Sequence, residues 1–208
     1  MRRIISVFIV LLIAIPGCLD EQETDIFYGD DINPKQPYSD FMLVDQNNES
    51  FSSEDLHGKV VVIAFLFTNC PDICPIVSAN LAWILSQLGD DVGTEVEILS
   101  ITVDPWRDTP EVLQSYSTQR ELNWTHLTST NIDNSSSYPD LETIWGDFGV
   151  GISVVEANGS SARHHGTIYE VDHSTGTIIL DRDGNQRVWW GDLDWVPELV
   201  LEDIRSLM

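Results

Sequence analysis

Eight consecutive apolar residues, Val60–Phe67, run into Thr68-Asn69-Cys70-Pro71-Asp72-Ile73-Cys74-Pro75, and this junction constrains the fold more than any other part of the chain. A run of that length, rich in Val, Ile and Phe, predicts a central strand covered on both faces, and therefore a sheet flanked by helices. After Pro75 the residues Ile76, Leu81, Ile84, Leu85 and Leu88 recur at helical spacing up to Gly89. Two thiols thus sit in the loop between a buried strand and a helix start.

The segments around this unit extend it. Short strands are expected at Met42–Val44 and Ser50–Ser52, separated by the polar turn Asp45–Asn48. Glu95–Val103 reads as a second buried strand. Asp108-Thr109-Pro110-Glu111 reads as a helix start, with Thr109 or Asp108 as the cap and Pro110 in the first turn. A third helix is expected over Tyr138–Phe148, an extended piece over Ile152–Glu156, strands at Thr167–Val171 and Thr177–Leu180, and a closing helix at Asp194–Leu207. Strands alternating with helices argue for an α/β sandwich, and the two late strands for an antiparallel addition. A strand feeding a cysteine pair at a helix N-terminus is the pattern of a thioredoxin-like fold: a central mixed sheet flanked by helices, with a late antiparallel hairpin.

The N-terminus predicts where the chain works. Met1-Arg2-Arg3 is basic, Ile4–Ile15 is an almost unbroken apolar run, and Pro16-Gly17-Cys18 follows. That order reads as a secretory signal over residues 1–17, the run being short for a membrane span. Cleavage before Cys18 would free that cysteine for lipid; plain secretion and an uncleaved anchor are the alternatives, and each delivers the domain to the outer face of the membrane or beyond. Residues 18–37, acidic and holding Pro34 and Pro37, read as a tether, and residues 38–208 as one domain. The chain carries 34 acidic and 10 basic residues, a net charge of −24, which argues against nucleic-acid binding because no basic patch is left to meet phosphates.

Cys70 and Cys74 are the only cysteines besides Cys18. Thioredoxin-type redox pairs hold two residues between their cysteines and this pair holds three. Spacing alone therefore leaves three readings open: two ligands for one soft metal ion, a dithiol/disulfide redox pair, or a structural disulfide. Two thiolates make an open metal site, so a further ligand is sought among five histidines. His57 precedes the central strand and reads as a surface residue. His126 reads as a packed structural histidine, and His164 and His165 as a solvated loop with accessory metal contact as the alternative. His173, just before the strand Thr177–Leu180, lies where a short connection in this fold would face the cysteine loop, although a hairpin-turn histidine would look much the same.

Three blocks then carry a resemblance. Leu56–Pro75, Ser100–Leu113 and Val171–Gly184 resemble, in that order, three signatures of the Sco/SenC family of thioredoxin-fold copper proteins, which serve assembly of the CuA centre of cytochrome c oxidase. The resemblance implies Cys70, Cys74 and His173 as ligands of one copper ion, Cu(I) or Cu(II). Asp104, in the second block, falls where members keep an aspartate near the metal loop; metal transfer or loop positioning stands beside a plain capping or turn role. Asn69 replaces the histidine that often precedes the first cysteine, which leaves the ligand set intact. The implied function is a copper chaperone, with thiol-disulfide exchange through Cys70 and Cys74 on partner cysteines as the alternative. The implied partners are the CuA-bearing subunit of a haem-copper oxidase, an upstream copper donor and a thiol reductant. Trp106, Trp189, Trp190 and Trp195 are candidates for an apolar docking rim, with burial in the core as the competing reading.

Overall fold

The computed structural model describes residues 27–156, 169–174, 176–191 and 194–208. The signal segment, Cys18, His164 and His165 lie outside the described residues.

The apolar run forms strand β4 (Val60–Leu66), buried along its whole length. It pairs in parallel with β5 (Val96–Thr102), joined to it through α1 (Cys74–Leu88), and β5 pairs in parallel with β6 (Thr125–Thr128) through α2 (Pro110–Arg120). Three parallel strands linked by helices make the α/β half of the domain. The remaining strands add antiparallel on both sides. β2 (Met42–Asp45) and β3 (Ser50–Ser52) extend the sheet beyond β6, while β9 (Gly176–Leu180), β10 (Gln186–Gly191) and β1 (Asp30–Gln36) extend it beyond β4, in the order β1-β10-β9-β4-β5-β6-β2-β3. Helices α3 (Pro139–Asp147) and α4 (Pro197–Leu207) complete the layers, α4 packing against α1. This is the thioredoxin-like arrangement expected from the strand–loop–helix unit.

Among the described residues β7 (Ile152–Glu156) and β8 (Tyr169–His173) pair only with each other, as a separate antiparallel arm. The two late strands foreseen in the sequence therefore have different partners: β8 joins β7, whereas β9 enters the main sheet between β4 and β10. The turn after β9 is closed by Asp181, whose carboxylate accepts from the amides of Asp183 (3.1 Å) and Asn185 (2.9 Å).

Two expectations need correction. Asp30–Gln36, placed in the tether, form the edge strand β1 on β10. Their side chains are nearly all exposed, so the segment reads as solvated, but an edge strand is held through its backbone. Its start is fixed by Asp203, which is 2% exposed and accepts from the amides of Tyr28 and Gly29 and from the Trp190 indole. The docking rim also fails as drawn: Trp190 and Trp195 are buried, and Trp189 is partly buried, packed so closely on β9 that a Cβ at Gly176 would lie 2.1 Å from its ring. Trp106 alone of the four is exposed.

Candidate metal centre

β4 ends at Leu66, and the loop that follows brings Cys70 back to the start of α1, where Cys74 is the first helical residue. No side chain caps this helix. The amides at and just before its start turn instead to sulfur, those of Asp72, Ile73 and Cys74 hydrogen-bonding the Cys70 thiolate. The Cys74 thiol donates to the same sulfur, and this is the largest of the influences that bring Cys70 down to about 6, against the opposing effect of burial. Cys70 is therefore mainly thiolate at neutral pH. Cys74 is fully buried, Cys70 is partly accessible, and no disulfide joins them. The Cys70 sulfur is the more accessible of the pair, and Cys74 lies buried behind it.

The loop is braced from below by a carboxylate that the sequence presents as a helix cap. Thr109 is the cap of α2, its hydroxyl accepting from the Val112 amide. Asp108, with no exposed surface, reaches back to the β4 end instead. It accepts from the Thr68 amide (3.1 Å), the Thr68 hydroxyl (2.5 Å) and the Thr102 hydroxyl (2.6 Å), while burial pushes its carboxyl up to about 6.

His173 ends β8, and its ring meets the ring of Phe67 edge-on with centroids 5.6 Å apart. Phe67 is the residue by which β4 enters the cysteine loop, so the arm delivers His173 beside that loop. Its Nδ1 lies 3.2 Å from the Ser174 carbonyl, which suits a protonated Nδ1 and leaves Nε2 as the donor atom. Burial lowers its pKa and keeps the ring neutral, the form that can ligate. Among the described residues no three His, Cys, Asp or Glu side chains converge closely enough to hold an ion. The two cysteines are together, and His173 is adjacent rather than joined to them.

Asp104 is engaged elsewhere. It is fully buried; one oxygen accepts from the Tyr169 hydroxyl (2.7 Å) and the other from Arg107 Nε. Burial raises its pKa, against the lowering effect of those two donors. His57 and His126 follow the sequence reading: His57 is exposed, and His126 is buried on β6, where burial drives it down to about 4. Sequence reasoning missed Asp108, Arg107 and Tyr169, whose partners stand 3 to 65 positions away along the chain. The adjacency of Arg107 and Asp108 just past a buried strand end was the available signal.

Comparison with known proteins bears on the family and the fold. The SCO1/SenC family model matches residues 29–208. An SCO2-like protein of Rickettsia prowazekii is 33% identical over 144 residues, covering 69% of this chain and 64% of its own length. The chain thus spans just under two thirds of that relative. Among solved structures, copper-bound ScoI of Bradyrhizobium japonicum superposes with a TM-score of 0.67 at 26% identity, covering 83% of this chain and 99% of that one. Copper-bound yeast Sco1 does so with a TM-score of 0.63 at 26% identity, covering 82% and 87%. With a family match that begins at the edge strand and runs to the last residue, this chain belongs to the SCO1/SenC family.

Proposed function

We propose that the protein is a copper chaperone that carries one copper ion on Cys70, Cys74 and His173 and passes it to the CuA-bearing subunit of a haem-copper oxidase. The observation that carries this reading is the meeting of two elements: a helix start that holds a thiolate at neutral pH and a separate arm that sets a neutral imidazole beside the same loop. Two thiolates suit Cu(I), and an added imidazole is acceptable to Cu(I) and Cu(II). Copper in relatives that superpose over most of the chain supports the same cargo. A ligand set split between a rigid helix start and an arm also suits release, because withdrawing one ligand weakens the site without unfolding it.

Among the described residues no helix is long and apolar enough to cross a membrane. The proposed location is the outer face of the cell membrane, with lipid on Cys18 as the anchor. The test is transfer: copper-loaded protein is mixed with the metal-free soluble CuA domain of the host's own oxidase, and the purple CuA absorption is followed. Its appearance is expected; its absence, with copper retained on the donor, would remove the delivery role.

A second reading is favoured by the hydrogen bond between the two sulfurs. The Cys70 thiolate attacks one sulfur of a partner disulfide and releases the other as thiolate. Cys74, losing its proton to solvent, then displaces the partner's sulfur. Cys70–Cys74 becomes a disulfide and the partner gains two electrons and two protons. Reduction of an oxidised CuA-domain peptide by the copper-free dithiol measures this activity directly.

A further inference from the structure

The arm that bears His173 has no backbone pairing to the main sheet among the described residues, since β8 pairs with β7 alone. Its placement away from its base therefore depends on side chains. Tyr169, Val171 and His173 alternate onto one face of β8. Along that face the Tyr169 hydroxyl donates to Asp104, Val171 is buried, and His173 meets Phe67. The Arg107 guanidinium stacks 4.1 Å over the Tyr169 ring, donates to the Tyr169 carbonyl (3.4 Å) and pairs with Asp104. Asp104 is in turn fixed from beneath, its amide donating to the Thr102 hydroxyl at 2.9 Å. The same Thr102 hydroxyl donates to Asp108, the carboxylate that holds Thr68 at the entrance to the thiol loop.

We propose that the segment Thr102–Asp108 is the frame that sets the distance between the thiol loop and the histidine arm, with Asp104 and Arg107 as positioning residues that act on His173 through Tyr169. This rests on the reading of His173 as a copper ligand. Both Asp104 oxygens accept from protein donors, Tyr169 and Arg107, and the proposed role needs no contact with the ion. Asp104 fixes the arm, so that His173 is presented to the thiols from a defined direction, while Asp108 fixes the loop from the opposite end of the same seven residues. The arm's one-sided attachment explains how a ligand can be both aimed and withdrawn. Outer partners of metal ligands commonly contribute roughly 10- to 100-fold in affinity.

The experiment uses the purified full chain and the variants Tyr169→Phe, which removes only the hydroxyl, and Arg107→Ala. Cu(II) affinity is measured for each in the wild-type and His173→Ala backgrounds, with the EPR spectrum as the signature of nitrogen coordination. Tyr169→Phe is expected to lower affinity about 10-fold and to diminish the nitrogen signature, and to change neither once His173 is gone. An equal fall in the His173→Ala background, or unchanged affinity in both, would overturn the proposal. The metal-free protein gives an independent reading by NMR. The Phe67–His173 ring contact should weaken in Tyr169→Phe and Arg107→Ala, and its retention in both would refute the positioning role. If His173→Ala alone left copper affinity unchanged, the ligand assignment would fail, and the metal-free contact would still decide whether the frame positions the arm.

Discussion

Removing the Cys74 thiol tests the electrostatics of the pair. In Cys74→Ala the largest influence lowering Cys70 is lost, burial still opposes ionisation, and only the helix amides remain to favour the thiolate. The Cys70 midpoint should rise from about 6 toward the ordinary thiol value near 8.5. At pH 7 a thiol titrating near 6 is about 90% thiolate, and one titrating near 8.5 about 3%, a drop of roughly 30-fold. Intrinsic nucleophilicity rises with pKa, however, and over this interval gives back about 10-fold or a little more. The rate of alkylation at neutral pH should therefore change only about 2- to 3-fold, and a single-pH comparison would miss the effect. The pH profile of iodoacetamide modification, read by mass spectrometry at Cys70, is the informative assay. A wild-type midpoint near 8.5, or a midpoint unmoved in Cys74→Ala, would refute the account of how the loop activates Cys70.

Three further outcomes follow from buried groups. Burial holds His126 neutral down to about 4. The unfolded chain binds its proton first, so this residue contributes stability that is fully present above about pH 6.5 and is lost as pH falls toward 4, about 3 kcal/mol in all. Relative to wild type, His126→Gln should gain stability by that order on acidification, measured by urea unfolding between pH 4 and 7. Asp108 has the opposite sign: raised to about 6, it holds its proton after the unfolded carboxyl has lost its own, so it costs stability as pH rises from about 4 to 6, again by about 3 kcal/mol. Asp108→Asn should remove that loss, and a difference curve flat in pH would contradict the burial argument. In Asp108→Ala the Thr68 amide and the Thr68 and Thr102 hydroxyls lose their acceptor, a cost of about 3 kcal/mol that urea unfolding near pH 4 would register and that relief of the buried charge offsets by pH 7.

The parts of the fold that were legible in sequence are those in which local pattern and tertiary role coincide. Val60–Leu66 are apolar because both faces of β4 are covered, and Pro110 opens α2 because its fixed φ suits a first turn. Strand β10 was not foreseen because its pattern is broken by Gln186 and Arg187, which are buried yet polar. Gln186 satisfies its amide on the carbonyls of Pro37 and Asp147, partners no local pattern announces. β1 was hidden by its acidity. The two thiols could be read from spacing alone, but that spacing could not choose between metal and redox chemistry. His173 looked like any turn histidine until the family resemblance singled it out. Asp108 illustrates the limit best: its local context says cap, and only the return of β4 beside β5 brings Thr68 within its reach.

The central claim is that Cys70, Cys74 and His173 bind one copper ion together. Anaerobic titration of the reduced protein with Cu(I), followed by X-ray absorption at the copper edge, tests it most directly. The account predicts one equivalent bound, two sulfur neighbours and one nitrogen, with the nitrogen lost in His173→Ala and binding abolished when both cysteines are replaced. A stoichiometry well away from one, or the same nitrogen neighbour after His173→Ala, would contradict it.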